Sequence, residues 1–241
     1  MCACVMSDTP ETPMFTASPK RHPHNPKLRL YYDDWYQGLP VQQRKQGPQI
    51  ENYLETTLRV LQHTITQQNR TLAFRLDLRF PQNMPPGPIH ADNACLSRFF
   101  YALRKELDAA GTKYHTEIRY LWAREQDTSD KPHYHLMLLL NYDAFCSLGS
   151  FSPSFDGGYE LDNLYHRCVR AWSWAIGWPI HDMAGKVHVA TDKLTRQPYV
   201  YCLHRDDAAT FSQVFYAASY LCKAYSKPIA QGIRCHEGSR R

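Results

Sequence analysis

His133 and His135, one residue apart, sit at the start of an otherwise apolar run, Leu136 to Leu140. In a strand successive side chains alternate faces, so both imidazoles share one face and Tyr134 takes the other. Two imidazoles side by side can hold a metal ion. With 12 histidines in 241 residues, that spacing alone is about an even bet by chance. Its meaning therefore rests on what else the chain carries. Glu125 closes the preceding strand-like stretch, and two His with one Glu can bind a divalent metal that keeps open positions and polarises a phosphodiester. Glu117 and His115 are rival ligands on the same stretch, and an ion pair to Arg124 or Lys131 is a rival role for Glu125. Further on, Tyr220 precedes Lys223 by three residues. A phenol with an ordinary pKa of about 10 is a poor nucleophile. A cation one helical turn away improves it by stabilising the phenolate or the developing phosphorane.

The elements that must position these groups are legible from periodicity. Ile50, Tyr53, Leu54, Leu58, Leu61 and Ile65 follow helical spacing and predict a helix over 49–68. Residues 71–80 alternate, with Leu72, Phe74, Leu76, Leu78 and Phe80 on one face and Ala73, Arg75, Asp77 and Arg79 on the other. That pattern predicts a half-buried strand with a charged open face, along which Arg75 and Arg79 face either DNA or ordinary salt-bridge partners. A helix over 91–110 follows, with Asp92 as its cap and Gly111 as its stop. Residues 114–125 alternate again, placing Ile118, Tyr120 and Trp122 opposite Glu117, Arg119, Leu121, Ala123 and Glu125. This strand and the His133 strand form a hairpin, and the second is apolar on both faces, as an inner strand must be. A helix over 160–176 and short strands over 187–190 and 199–203 come next. A last helix over 207–225 buries Phe211, Val214, Phe215, Ala218, Leu221, Cys222 and Tyr225. On its outer side Tyr216, Tyr220, Lys223 and Lys227 form one row. Trp172, Trp174 and Trp178 read as core and helix-end packing, and His181 and His188 fit no pattern.

Composition bounds the rest. With 43% apolar and 13% aromatic residues the chain can bury a core, which predicts one domain over 48–230. Prolines and the basic cluster Lys20, Arg21, Lys27 and Arg29 predict a flexible arm over 1–47, pinned near Tyr31, Tyr32, Trp35 and Tyr36; residues 231–241 read as a tail. The absence of an eighteen-residue apolar run or a signal pattern points to a soluble cytoplasmic protein without a membrane partner. Eight scattered cysteines without a Cys-x-x-Cys pair argue against a zinc ribbon or a disulfide framework. The formal charge of +5 permits a polyanionic partner without requiring one.

His133-Tyr134-His135 resembles the His-hydrophobic-His motif of the HUH endonucleases, and Tyr220-Leu221-Cys222-Lys223 resembles their Tyr-x-x-Lys nucleophile motif. A closer resemblance is to the inovirus-type replication proteins with the YagK/YfjJ C-terminal domain. It runs through Trp122-Ala123-Arg124-Glu125-Gln126, His133 to Asn141, Ala171-Trp172 and Ser219 to Ala224, spanning about residues 48–230. The resemblance implies an α+β domain, similar to HUH endonucleases and RRM domains, whose central antiparallel sheet of about five strands carries the ligands. It also implies rolling-circle replication initiation: Tyr220 nicks single-stranded or extruded origin DNA of a phage or prophage, and a replicative helicase or polymerase of the host follows. His133, His135 and Glu125 would hold Mg²⁺ or Mn²⁺, Lys223 would aid the charge at phosphorus, and Arg75, Arg79 and Lys227 would touch DNA. Tyr216 has the spacing of a second nucleophile, but Ser219 stands where its lysine would be, so a single-tyrosine mechanism is preferred.

Two other readings compete. A DNA-binding regulator with the same fold would bind without cleaving. A two-His-one-carboxylate metal oxygenase shares the ligand types, but those enzymes usually place the carboxylate soon after the first His and the second His far downstream.

Overall fold

In a computed structural model, residues 18–43, 45–126 and 130–240 are described. Four short strands, β1 (Arg21–His22), β2 (Asn25–Tyr31), β3 (Trp35–Tyr36) and β4 (Leu39–Pro40), lead to β5 (Gln49–Ile50) and helix α1 (Glu51–Gln67). Then come β6 (Arg70–Arg79), α2 (Ala94–Asp108), β7 (Arg119–Glu125), β8 (His133–Asn141) and α3 (Leu164–Ile176). β9 (Val187–Val189), β10 (Val200–His204), α4 (Ala208–Ser219) and β11 (His236–Gly238) complete the chain. The fold is α+β. Its main sheet is antiparallel in the order β10-β6-β8-β7-β11, and β9 also pairs with β6, so it has six strands where about five were expected.

Helices cover both faces of this sheet. On one face Leu72, Phe74, Leu76 and Leu78 of β6 and Tyr134, Leu136, Leu138 and Leu140 of β8 pack against α2 and α3. Trp172 of α3 is fully buried there, and its indole N–H donates to Arg79 O at 2.9 Å. On the other face Ala73, Leu121, Ala123, Met137 and Leu139 pack against Leu54, Leu58 and Leu61 of α1 and Val214, Phe215 and Ala218 of α4. The expected inner strand and its hairpin with β7 are both present. The expected open face of β6 is not: Arg75 and Asp77 are buried, because α4 and the chain after it lie over them.

Three further expectations change. The described part of the expected arm is folded: β2 pairs with both β1 and β5, and Arg29 forms ion pairs with Glu51 and Glu55 of α1. Tyr36 stacks on Phe215 and Tyr31 packs edge-on to Tyr36, so two aromatics supply the burial that aliphatics do not, while Tyr32 and Trp35 stay exposed. Residues 1–17 of that arm lie outside the described residues. The expected tail supplies β11, which pairs with β7 and puts the final strand on the sheet edge. The last helix stops at Ser219; Tyr220–Cys222 form a 3-10 turn and Lys223 is extended, bridging to Gln49 beside β5. Six cysteines, Cys95, Cys146, Cys168, Cys202, Cys222 and Cys235, are free. Among the described residues no helix is long and apolar enough to cross a membrane.

Candidate functional site

Strand register builds the site. In the β7–β8 ladder Glu125 stands opposite His133, and in the β6–β8 ladder Asp77 stands opposite His135 and Arg79 opposite His133. Residues opposed across a ladder share a face. Glu125 Oε2 lies 3.2 Å from His135 Nε2 and 3.7 Å from His133 Nε2, and the rings of the two histidines meet edge to face at 4.9 Å. One ligand atom from each of Glu125, His133 and His135 lies within 4.8 Å of the others, so the group could hold a metal ion. The expected trio is therefore brought together. The rival pairings of Glu125 with Arg124 or Lys131 are not observed; Arg124 points to the opposite face and binds His90 O, Asp92 O and the Tyr134 hydroxyl.

Asp77 is the neighbour that sequence reasoning missed. Its Oδ1 lies 2.5 Å from His135 Nδ1. Burial opposes its ionisation, but His135, Arg75 and Arg79 outweigh that and hold the carboxyl down at about 2. The ionised carboxylate accepts Nδ1–H and so turns Nε2 toward Glu125 and His133, the arrangement by which a carboxylate orients a metal-binding imidazole. His188 of β9 reaches the other Asp77 oxygen at 4.0 Å.

Two features fit a metal. His135 Nε2 is buried and makes no hydrogen bond, although Glu125 Oε2 lies 3.2 Å away. Burial and His135 push His133 down to about 4, so its imidazole is neutral near pH 7, as a ligand must be. Burial disfavours charge on His135, yet Asp77 and Glu125 raise its pKa, so a proton and a metal compete for its ring. Burial likewise works against Glu125, but Lys227, His135 and Lys223 hold it far below the usual carboxylate range. Lys223 Nζ lies 2.8 Å from Glu125 Oε2 and Lys227 Nζ 3.4 Å from Oε1, while Ser226 donates to Oε2 at 3.0 Å.

Tyr220 stands next to this cluster. Its ring is edge-on to His135 at 5.1 Å, with the Arg75 guanidinium 4.4 Å and Lys223 Nζ 3.9 Å from the ring centre. The break in the last helix makes this arrangement: Tyr220 sits on the 3-10 turn, and Lys223 and Lys227 turn back to Glu125 instead of continuing an outer row. Lys227 has a fully buried side chain, so it neutralises Glu125 rather than touching DNA, and Arg75 is covered by Tyr199 and Tyr220 rather than facing solvent. Arg79 remains exposed and lines a cleft of about 460 Å³ with Gln82, Lys131 and His133. Tyr216 lines a different groove with Tyr199 and Tyr201.

The sequence model of the YagK/YfjJ C-terminal domain matches residues 32–239, a span that takes in β3 to β11 and the whole cluster. The uncharacterized protein YfjJ of Escherichia coli strain K12 is 27% identical over 205 residues, covering 78% of this chain and 93% of its own. The uncharacterized protein YagK of the same strain is 28% identical over 214 residues, covering 81% of this chain and 96% of its own. No solved structure matches. With the match spanning most of the chain, this protein belongs to the YagK/YfjJ C-terminal domain family.

Proposed function

We propose that this protein is a metal-dependent DNA strand transferase that initiates replication of a phage or related mobile element, with Tyr220 as its nucleophile. The observation that carries this reading is the position of Tyr220, edge-on to His135 and flanked by Arg75 and Lys223. Neutral His133, His135 and ionised Glu125 would hold Mg²⁺ or Mn²⁺, which when bound would polarise the phosphodiester oxygens. Asp77 keeps His135 in one orientation. Lys223 and Arg75 favour the phenolate and the charge that grows on phosphorus. The Tyr220 oxygen loses its proton to solvent and bonds to phosphorus; the bond from phosphorus to the 3′ oxygen breaks, and that oxygen takes up a proton. The products are a 5′-phosphotyrosyl link and a free 3′-hydroxyl that a host polymerase can extend.

The test is to incubate the protein with single-stranded oligonucleotides from its own replicon and Mn²⁺, then to look for a protein band shifted by bound DNA. A shifted band that survives denaturant, and is absent with Tyr220→Phe, is expected. No band across the oligonucleotides, or an undiminished band with Tyr220→Phe, overturns the proposal. DNA affinity without any band identifies the non-cleaving regulator instead. Folded His133→Ala is expected to lower adduct yield at least about a hundredfold, the scale of losing one directly acting group.

A further inference from the structure

Beside Tyr220 a groove of about 630 Å³ runs between α4 and the segment leading into β10. Tyr199, Tyr201 and Tyr216 line it together with Pro40, Pro198 and the exposed Gln213. Arg75 links it to the metal cluster, lying 5.0 Å from the Tyr199 ring centre and 4.4 Å from that of Tyr220. The loop over 192–197 forms another wall. Asp192 holds that loop in shape: its Oδ1 accepts the Leu194 and Thr195 N–H groups at 2.9 Å, and its Oδ2 accepts the Tyr199 hydroxyl at 2.9 Å. The same loop carries Lys193 and Arg196, both exposed.

The half-buried rings of Tyr201 and Tyr216 beside the buried Tyr199, an amide on the rim and cations on the adjoining loop are the kinds of group that bind unpaired nucleotides. Every base offers a π face to a ring, and phosphates seek the cations. An acidic or purely aliphatic partner would leave either the cations or the rings without a counterpart. We propose that this groove seats a base of single-stranded DNA, stacked on Tyr201 and Tyr216, next to the nucleotide whose phosphate meets Tyr220. The proposal rests on the reading of DNA as the partner, but not on cleavage.

Stacking tolerates any base, so a fluorescein-labelled twenty-nucleotide oligo(dT) is a sufficient probe, titrated with the full chain and read by anisotropy. Tyr201→Ala and Tyr216→Ala are each expected to weaken binding about tenfold, whereas Tyr216→Phe, which keeps the ring, binds like wild type. Lys193→Glu with Arg196→Glu, at exposed positions that leave the core untouched, is expected to weaken binding and flatten its salt dependence. An oligo(dT) carrying 5-iodouridine should crosslink on irradiation to Tyr201 or Tyr216. Alanine variants that fold and bind like wild type overturn the groove, whatever the adduct assay gives; so does a wild-type chain that does not bind oligo(dT), or one captured in this groove by a proline-rich peptide with no effect of oligo(dT). A failed adduct assay alongside tyrosine-dependent binding overturns the cleavage reading and leaves the groove standing.

Discussion

Asp77 lies outside the trio that could hold a metal ion, yet it sets the orientation of one member. It is 7% exposed, and its 2.5 Å contact fixes the ring of His135 from behind. Asp77→Asn keeps the shape and removes the charge, so the imidazole exchanges a charged acceptor for a neutral amide and loses some basicity. Metal affinity is expected to fall about 10- to 100-fold, measured by calorimetric titration with Mn²⁺. The same residue predicts a pH effect on stability. A carboxyl held at about 2 in the folded state, against 3.8 as its ordinary value, stabilises the fold fully above pH 4. That contribution disappears as pH falls through about 2, so the stability gap between wild type and Asp77→Asn, read by urea unfolding in EDTA, should close over that range. A gap that stays constant from pH 5 to pH 2 would contradict this account. In the sequence Asp77 hides among Arg75 and Arg79 as one more alternating charge. A solvated face and a buried ionic network have the same period.

Elements explain which parts were legible and which were not. The parity of β8 carries directly into space: His133, His135, Met137 and Leu139 face α1 and α4, and Tyr134, Leu136 and Leu138 face α2 and α3. Periodicity failed at the end of α4, because steps of three and four continue through Tyr220 and Lys227 while long-range contacts, Lys223 with Gln49 and both lysines with Glu125, bend the chain away. Pro228 was a local signal against a helix there, since the residue before proline avoids the helical region. β11 was invisible for a related reason: three residues have no measurable period, and its pairing partner lies over a hundred positions upstream. Yet β11 braces the strand that delivers Glu125. Cys235 O accepts the Arg124 N–H at 2.9 Å, and His236 stacks on Tyr53 at 4.3 Å. Deleting residues 235–241 is expected to lower Tm and weaken Mn²⁺ binding together. Truncation that lowers Tm and leaves Mn²⁺ affinity unchanged would show that β7 holds Glu125 without help.

At the level of the whole molecule, chain segments far apart in sequence meet in one buried knot of charge. β6 brings Asp77 and Arg75, β7 brings Glu125, β8 brings the histidines, and the segment after α4 brings Tyr220, Lys223 and Lys227. The overall architecture was readable because hydrophobic period reports burial. Of the knot, the trio Glu125, His133 and His135 and its neighbours Tyr220 and Lys223 were legible; Asp77 and the pairing of Lys227 with Glu125 were not, because charges that compensate one another leave no trace in a local pattern. Two lysines already neutralise Glu125, so a divalent ion entering among them creates a surplus of positive charge in a low-dielectric interior. Such a surplus invites an anion. Ion and nucleic acid should then be reciprocal effectors: each raises the other's affinity by the same factor. Mn²⁺ affinity measured with and without saturating oligo(dT) is expected to differ about tenfold, with oligo(dT) affinity shifting equally on adding Mn²⁺. Equal affinities in the two titrations would mean that the paired lysines let the ion in alone. If the coupling holds, Lys223 and Lys227 act as a gate of charge that admits the metal chiefly in company with nucleic acid.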